Sequence, residues 1–234
     1  MAHGITPTSY PLSNNTGLVP VAYNETPRAE SVAEAQDEKG NVAARTYYGG
    51  SATIKDCSIT LVLKSGTAPT SITLGADTTN GVTMWVTSLE LTTGNGQWPT
   101  YVINWKEGLT NVTGSSFTVT LPSVTATKTA QVLGVGPASA VSATLKLTGS
   151  SATWSVDYAE QLNGHGEYAA SAFSNGVAEA SADGVVISGT PAWTAETGWT
   201  VEDGGAPIEE TNTEYGTSSA KVSKFLVADT ASAA

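Results

Sequence analysis

From Ser51 onward, polar and apolar positions alternate with a period of two. Between Ile54 and Lys64, Cys57, Ile59, Leu61 and Leu63 alternate with Asp56, Ser58, Thr60 and Val62, which predicts a strand with one face on a core. Ser71–Leu74 and Val82–Leu91 follow around Asn80-Gly81, a pair suited to the positive φ angles of a tight hairpin. In the second of these runs Trp85, Thr87, Leu89 and Leu91 are assigned to one face. Gly94-Asn95-Gly96 turns the chain into Trp98–Trp105, where Tyr101, Ile103 and Trp105 share a face. The pattern continues through Phe117, Val119 and Leu121, then Ala143, Leu145 and Leu147, then Trp154, Val156 and Tyr158. Val124–Ala140 reads as a long connection or a weak strand. Asn175-Gly176 and Asp183-Gly184 read as turns setting off short strands Val177–Ala182 and Val185–Ser188, and Val222–Val227 is the last strand. Strands joined by turns rather than by helical stretches predict a mainly β fold, a sandwich or barrel with at most one or two short helices.

Residues 1–50 have a different texture. Pro7, Pro11, Pro20 and Pro27 interrupt them, so they are expected to form an extended N-terminal arm ahead of a β-rich domain over residues 51–234. Within the arm, Ser31 and Glu34 make a capping-box pattern that predicts a short helix over residues 32–38, with a solvated charged loop as the alternative. Two lobes, 51–149 and 150–234, are the alternative to a single β-domain.

Composition narrows the chemistry. Of 234 residues about a quarter are Ser or Thr, and only 13% are charged. The net charge of −11 is lopsided: residues 1–150 carry 9 acids and 8 bases, residues 151–234 carry 12 acids and 2 bases. An acidic surface repels phosphate, and the bases Arg28, Lys39, Arg45, Lys55 and Lys64 are scattered, which disfavours a nucleic-acid grip. Cys57, the single cysteine, sits among apolar residues and is expected to be a small buried hydrophobe. Met1–Pro11 lacks the basic-then-apolar pattern of a secretory signal, and no stretch approaches the ~20 apolar residues of a membrane helix. A soluble chain made in a cytoplasm, without a membrane anchor, is the expectation.

Catalytic signatures are sparse. A Ser-His-Asp triad needs a positioned imidazole, and His165 is the sole histidine beyond the arm. Gly134-Val135-Gly136-Pro137 lacks a third glycine, and Pro137 removes an amide where a phosphate cradle needs one. The candidate ligands for a hard cation are Asp157, Glu160, His165 and Glu167, together with Asn163, against the plainer reading of a polar loop. Carboxylate pairs such as Glu90 with Glu107 match glycoside hydrolysis in residue type only. The acidic stretch Glu202, Asp203, Glu209 and Glu210 reads as a solvated loop. Trp85, Trp105 and Trp154 fall on apolar faces and are assigned to the core, whereas Trp98, Trp193 and Trp199 lie near turns and are candidates for an interface or a sugar ligand. The expectation is a protein that is not an enzyme and takes no cofactor.

The arm over residues 1–50, the run from Ser51-Ala52-Thr53-Ile54 through Met84-Trp85-Val86-Thr87-Ser88-Leu89-Glu90-Leu91, the return Trp98-Pro99-Thr100-Tyr101-Val102-Ile103, and Gly184-Val185-Val186-Ile187-Ser188-Gly189 give the chain a pattern that resembles bacteriophage virion proteins, above all the tail-tube family and related tail components. The resemblance is one of pattern and composition over most of the chain. It implies a non-enzymatic subunit, made in the host cytoplasm and located in the virion, whose sheets join edge to edge into stacked rings. Its partners would be copies of itself and other virion proteins. DNA would pass without specific binding along a channel that the acidic residues Glu202, Asp203, Glu209 and Glu210 line. A carbohydrate-binding β-sandwich module, receptor-binding or capsid-decorating, is the alternative.

Overall fold

A computed structural model describes residues 9–27, 31–48, 54–79, 82–137, 145–164, 168–188, 193–204 and 216–229. Among them are β1 (Leu18–Pro27), β2 (Ser31–Gln36), β3 (Val42–Tyr48), β4 (Lys55–Leu63), β5 (Ser71–Thr79), β6 (Val82–Gly94), β7 (Gln97–Glu107), β8 (Val112–Gly114), β9 (Phe117–Thr120), β10 (Val135–Pro137), β11 (Leu145–Leu162), β12 (Tyr168–Val186), β13 (Trp193–Ala195), β14 (Thr200–Gly204) and β15 (Thr217–Phe225), and no helix.

The fold is mainly β, as the alternation predicts. Eleven strands form one open sheet along the order β1-β4-β7-β6-β11-β12-β15-β14, with β5, β8 and β9 attached beside β6, β12 and β5. Among the described residues every ladder is antiparallel except β8 on β12. The β6–β11 ladder joins Gly94 to Gly149 and Ser88 to Ser155, so strands from both sides of Gly149 lie in one continuous sheet. Tyr101, Ile103 and Trp105, Leu61 and Leu63, Leu89 and Leu91, and Trp154 are all buried on its apolar face. The indole Nε1 of Trp154 and the Tyr101 hydroxyl have no hydrogen-bond partner there. Burial alone pushes the Tyr101 pKa up.

Where prediction and structure part, β-bulges and long strands explain most of the difference. In β6, Val86 pairs with Trp105 and Ser88 with Asn104, leaving Thr87 as an extra residue. That bulge inverts the side-chain alternation, so Met84 and Val86 are buried along with Leu89 and Leu91, while Trp85 is half-buried and leaves the predicted face. Asn175-Gly176 is not a turn. Ser155 pairs with Val177 and Asp157 with Ser174, so the two residues form a bulge inside the unbroken β12, with Asn175 at φ 50°. Gly176 leaves room there for a close approach: a Cβ would lie 2.8 Å from Phe117 and 2.9 Å from Leu226. Asp183-Gly184 is also inside β12, and a Cβ on Gly184 would meet Leu145 at 2.8 Å. Val124–Ala140 contains the short strand β10, paired with β13.

The expected helix over residues 32–38 is a strand. β2 pairs with β3, and Asp37 closes the turn by accepting hydrogen bonds from the Lys39 and Asn41 amides at 2.9 and 2.8 Å. A side chain satisfying turn amides in this way competes with helix capping.

Candidate assembly surfaces

Part of the segment expected to be an extended arm pairs with the main sheet. β1 pairs with β4 along its whole length, from Leu18 with Leu63 to Pro27 with Lys55. Residues 28–54 are therefore an excursion between two neighbouring strands, anchored at both ends. Within the excursion, β2 and β3 make a two-stranded sheet of their own. On β1 and β4, Lys55 Nζ lies 2.6 Å from Glu25 Oε1 and the Tyr23 hydroxyl donates to Glu25 Oε2 at 2.7 Å. Trp105 Nε1 donates to Glu107 Oε1 at 2.9 Å one strand away. The Lys55 ammonium holds the Glu25 carboxyl below the usual range, and Glu25 raises Lys55 in return. Cys57 beside them is buried, and burial, with the Glu107 charge adding, pushes its thiol up to about 11.

A second surface arises where the long β11–β12 hairpin parts from the sheet. One edge of β6 serves two strands, β5 along Val82–Val86 and β11 along Ser88–Gly94, and these separate at the Thr87 bulge. Beyond that point the hairpin lies against the face of β6 that carries Trp85. The Trp85 indole stacks on Phe173 of β12 at a centroid distance of 5.7 Å, and Tyr158 of β11 sits 5.2 Å from the same ring. Lys106 joins sheet to hairpin: its Nζ contacts Asp56 and lies 4.5 Å from the centre of the Tyr158 ring. β8 braces the hairpin from the side, since Tyr168 Oη donates to Thr110 O at 2.5 Å, Asn111 Nδ2 to Ala169 O at 3.2 Å and Ser115 N to Phe173 O at 3.1 Å. Leu162, at the far end of β11, is 49% exposed.

The two outer strands of the sheet are blunted. β1 carries Pro20, Pro27 and a bulge between Pro20 and Ala22, while β14 is short, bulged between Val201 and Asp203, and bears Glu202. Proline, bulges and charge are the usual means of keeping an edge from pairing with another sheet.

The residues singled out by sequence are dispersed. Asp157 accepts a hydrogen bond from Asn175 Nδ2 at 2.9 Å, whereas Glu160 accepts one from Tyr158 Oη at 2.7 Å. Three residues apart on one strand, the two carboxylates leave opposite faces. His165 and Glu167 lie outside the described residues, and among the described residues no group of three or more His, Cys, Asp or Glu is placed to hold a metal. Glu202 faces Lys221 at 3.7 Å, and Lys221 also faces Glu179 at 3.6 Å. Asp203 pairs through its backbone with Lys221, and Glu209 and Glu210 lie outside the described residues. Glu90 stands opposite Val102 on β7, five residues from Glu107, so the two are roughly 17 Å apart along the strand and on opposite faces. That separation rules them out as a hydrolytic pair.

Trp193 is a correction: it is buried, and its Nε1 donates to Ser218 Oγ at 2.9 Å, so it belongs to the core. Trp98 and Trp199 are half-buried, each with an ammonium over its ring, Lys128 at 5.4 Å and Lys224 at 4.6 Å. Trp199 also lies against Gly134, where a Cβ would come within 2.8 Å of the indole. Sequence reasoning missed the Trp85, Lys106, Tyr158 and Phe173 cluster because it depends on a bulge. The chain matches no protein-family model and no curated protein.

Proposed function

We propose that this chain is a non-enzymatic structural subunit of a phage virion, of the tail-tube or related tail-component class, that assembles with copies of itself. The observation that carries the reading is the β2–β3 hairpin, which lies in the chain between the paired neighbours β1 and β4 yet, among the described residues, shares no ladder with the main sheet. An isolated two-stranded hairpin is marginal in water, so a second surface that covers it would stabilise it. A neighbouring subunit supplies such a surface in a symmetric assembly. The blunted outer strands shift the expected contact from edge pairing to this hairpin and the β11–β12 hairpin. The acidic C-terminal third would keep DNA from adhering to a channel wall.

The test is negative-stain electron microscopy of the purified chain beside a variant in which Asn-Gly replaces residues 28–53. The reading expects rings or tubes from the full chain and folded monomers from the variant. A full chain that stays monomeric at high concentration, or a variant that assembles equally well, overturns it.

A further inference from the structure

The sheet has a polar face opposite its apolar one, and there the strand registers align side chains into rows. Asn24, Ser58, Asn104 and Ser88 stand side by side on β1, β4, β7 and β6. The next row holds Thr26, Asp56 and Lys106. Thr87 and all of these residues except Ser88 line a groove of about 290 Å³ that crosses the four strands, floored between the rows by Cys57 and Trp105. A polar outer face is ordinary in an antiparallel sheet, but a groove in it is not. β1 is bulged at Val21 and β6 at Thr87, and bulges bend strands, so the two flanking strands curve the face.

The chemistry of the lining selects a ligand class. It offers two carboxamides, hydroxyls from Thr26, Ser58 and Thr87, one carboxylate and one ammonium. The two charges neutralise each other in place, because Lys106 Nζ contacts Asp56 and is further held over the Tyr158 ring. A phosphate or sulfate ligand would therefore meet no uncompensated cation. Donors and acceptors in mixed array, with little net charge, match the alternating hydroxyls of a sugar. They are also preorganised: Asn104 Nδ2 donates to Ser88 Oγ at 2.9 Å, and Thr87 Oγ1 to Asn104 O at 3.1 Å. Fixing polar groups before binding lowers the entropy cost of recognition.

We propose that this groove binds a neutral, linear oligosaccharide through Asn24, Asp56, Ser58 and Asn104. It is independent of the assembly reading, because its lining belongs to strands of the main sheet and to neither hairpin.

Isothermal titration calorimetry of the full chain with maltohexaose, cellohexaose and chitohexaose, and with a heparin hexasaccharide as the anionic comparison, tests it. Expected is binding of at least one neutral hexasaccharide, weakened about tenfold or more by Asn104→Ala and by Asp56→Asn, with no heparin binding. Both positions are exposed, so each variant should keep the parent melting temperature, which circular dichroism checks. No binding of any neutral hexasaccharide at 10 mM, binding that Asn104→Ala leaves unchanged, or a preference for heparin would each overturn the proposal.

Discussion

Gly114 gives the sharpest handle on how the β11–β12 hairpin is held. It has φ 107°, and a Cβ built there would lie 2.1 Å from Phe173 O, 2.8 Å from Phe173 N and 3.0 Å from Phe173 C. All three are backbone atoms and cannot swing aside. Gly96, in the β6–β7 turn, has φ 82° and nothing within 4 Å of its Cβ position. Both alanine variants carry the cost of a positive φ, about 1–2 kcal/mol, offset by roughly 0.4–1 kcal/mol from the stiffer unfolded chain. Gly114→Ala must in addition push β8 from β12 by about 1 Å. That would break the Gly114–Phe173 pairing and the Ser115 N to Phe173 O bond, at about 1 kcal/mol per bond, and loosen the packing of Phe173 against Trp85. The expected loss is about 1 kcal/mol for Gly96→Ala and about 3–4 kcal/mol for Gly114→Ala. At roughly 2–4 °C per kcal/mol for a chain of this size, urea and thermal denaturation would separate the two clearly. Equal losses would refute the idea that backbone contact with β8, rather than φ alone, fixes the hairpin.

Three further outcomes follow from the geometry. A double-mutant cycle of Lys106→Met with Tyr158→Leu should show a coupling of about 0.5–1 kcal/mol by chemical denaturation, and additive losses would remove the cation from its assigned role. Ser150 and Thr93 are buried with their hydroxyls 2.9 Å apart, and both donate to the Gln131 carbonyl. Ser150→Ala should cost about 1–2 kcal/mol and speed proteolysis in residues 121–134, with an unchanged cleavage rate counting against that tether. Because the Cys57 thiol is raised from 9.0 to about 11, the folded state holds its proton more tightly. Its contribution to stability is complete below pH 9 and falls away as pH rises through 11. Native protein should also react slowly with a thiol reagent at pH 8 and rapidly once unfolded, and fast native labelling would contradict the burial.

Much of the architecture is legible in the period-two pattern. Tyr101, Ile103 and Trp105 are buried together as their spacing predicts, and so are Phe117, Val119 and Leu121. Asn80-Gly81 falls between Thr79 and Val82, which pair across the β5–β6 hairpin. The failures share a cause. A bulge adds one residue and inverts the alternation, so strict alternation groups Trp85 and Thr87 with Leu89 and Leu91 while the bulge at Thr87 sets them apart. In the same way, an Asn-Gly pair inside a strand looks like one that ends it. Whether Asn175-Gly176 bends β12 or terminates it depends on Leu226 and Phe117 closing around Gly176, contacts remote in sequence. The contact of Lys106 with Tyr158 is equally hidden, because β7 and β11 share no ladder and meet only where the hairpin folds over the sheet. Trp193 escapes the pattern for a related reason: nearness to a turn says nothing of Ser218, which accepts its indole proton.

Self-assembly is the central claim, and sedimentation velocity of the full chain and the Asn-Gly replacement of residues 28–53, each from micromolar to millimolar concentration, tests it most directly. The account predicts concentration-dependent growth to large species for the full chain and a single monomer boundary for the variant. A monomer boundary for both across the whole range would contradict it.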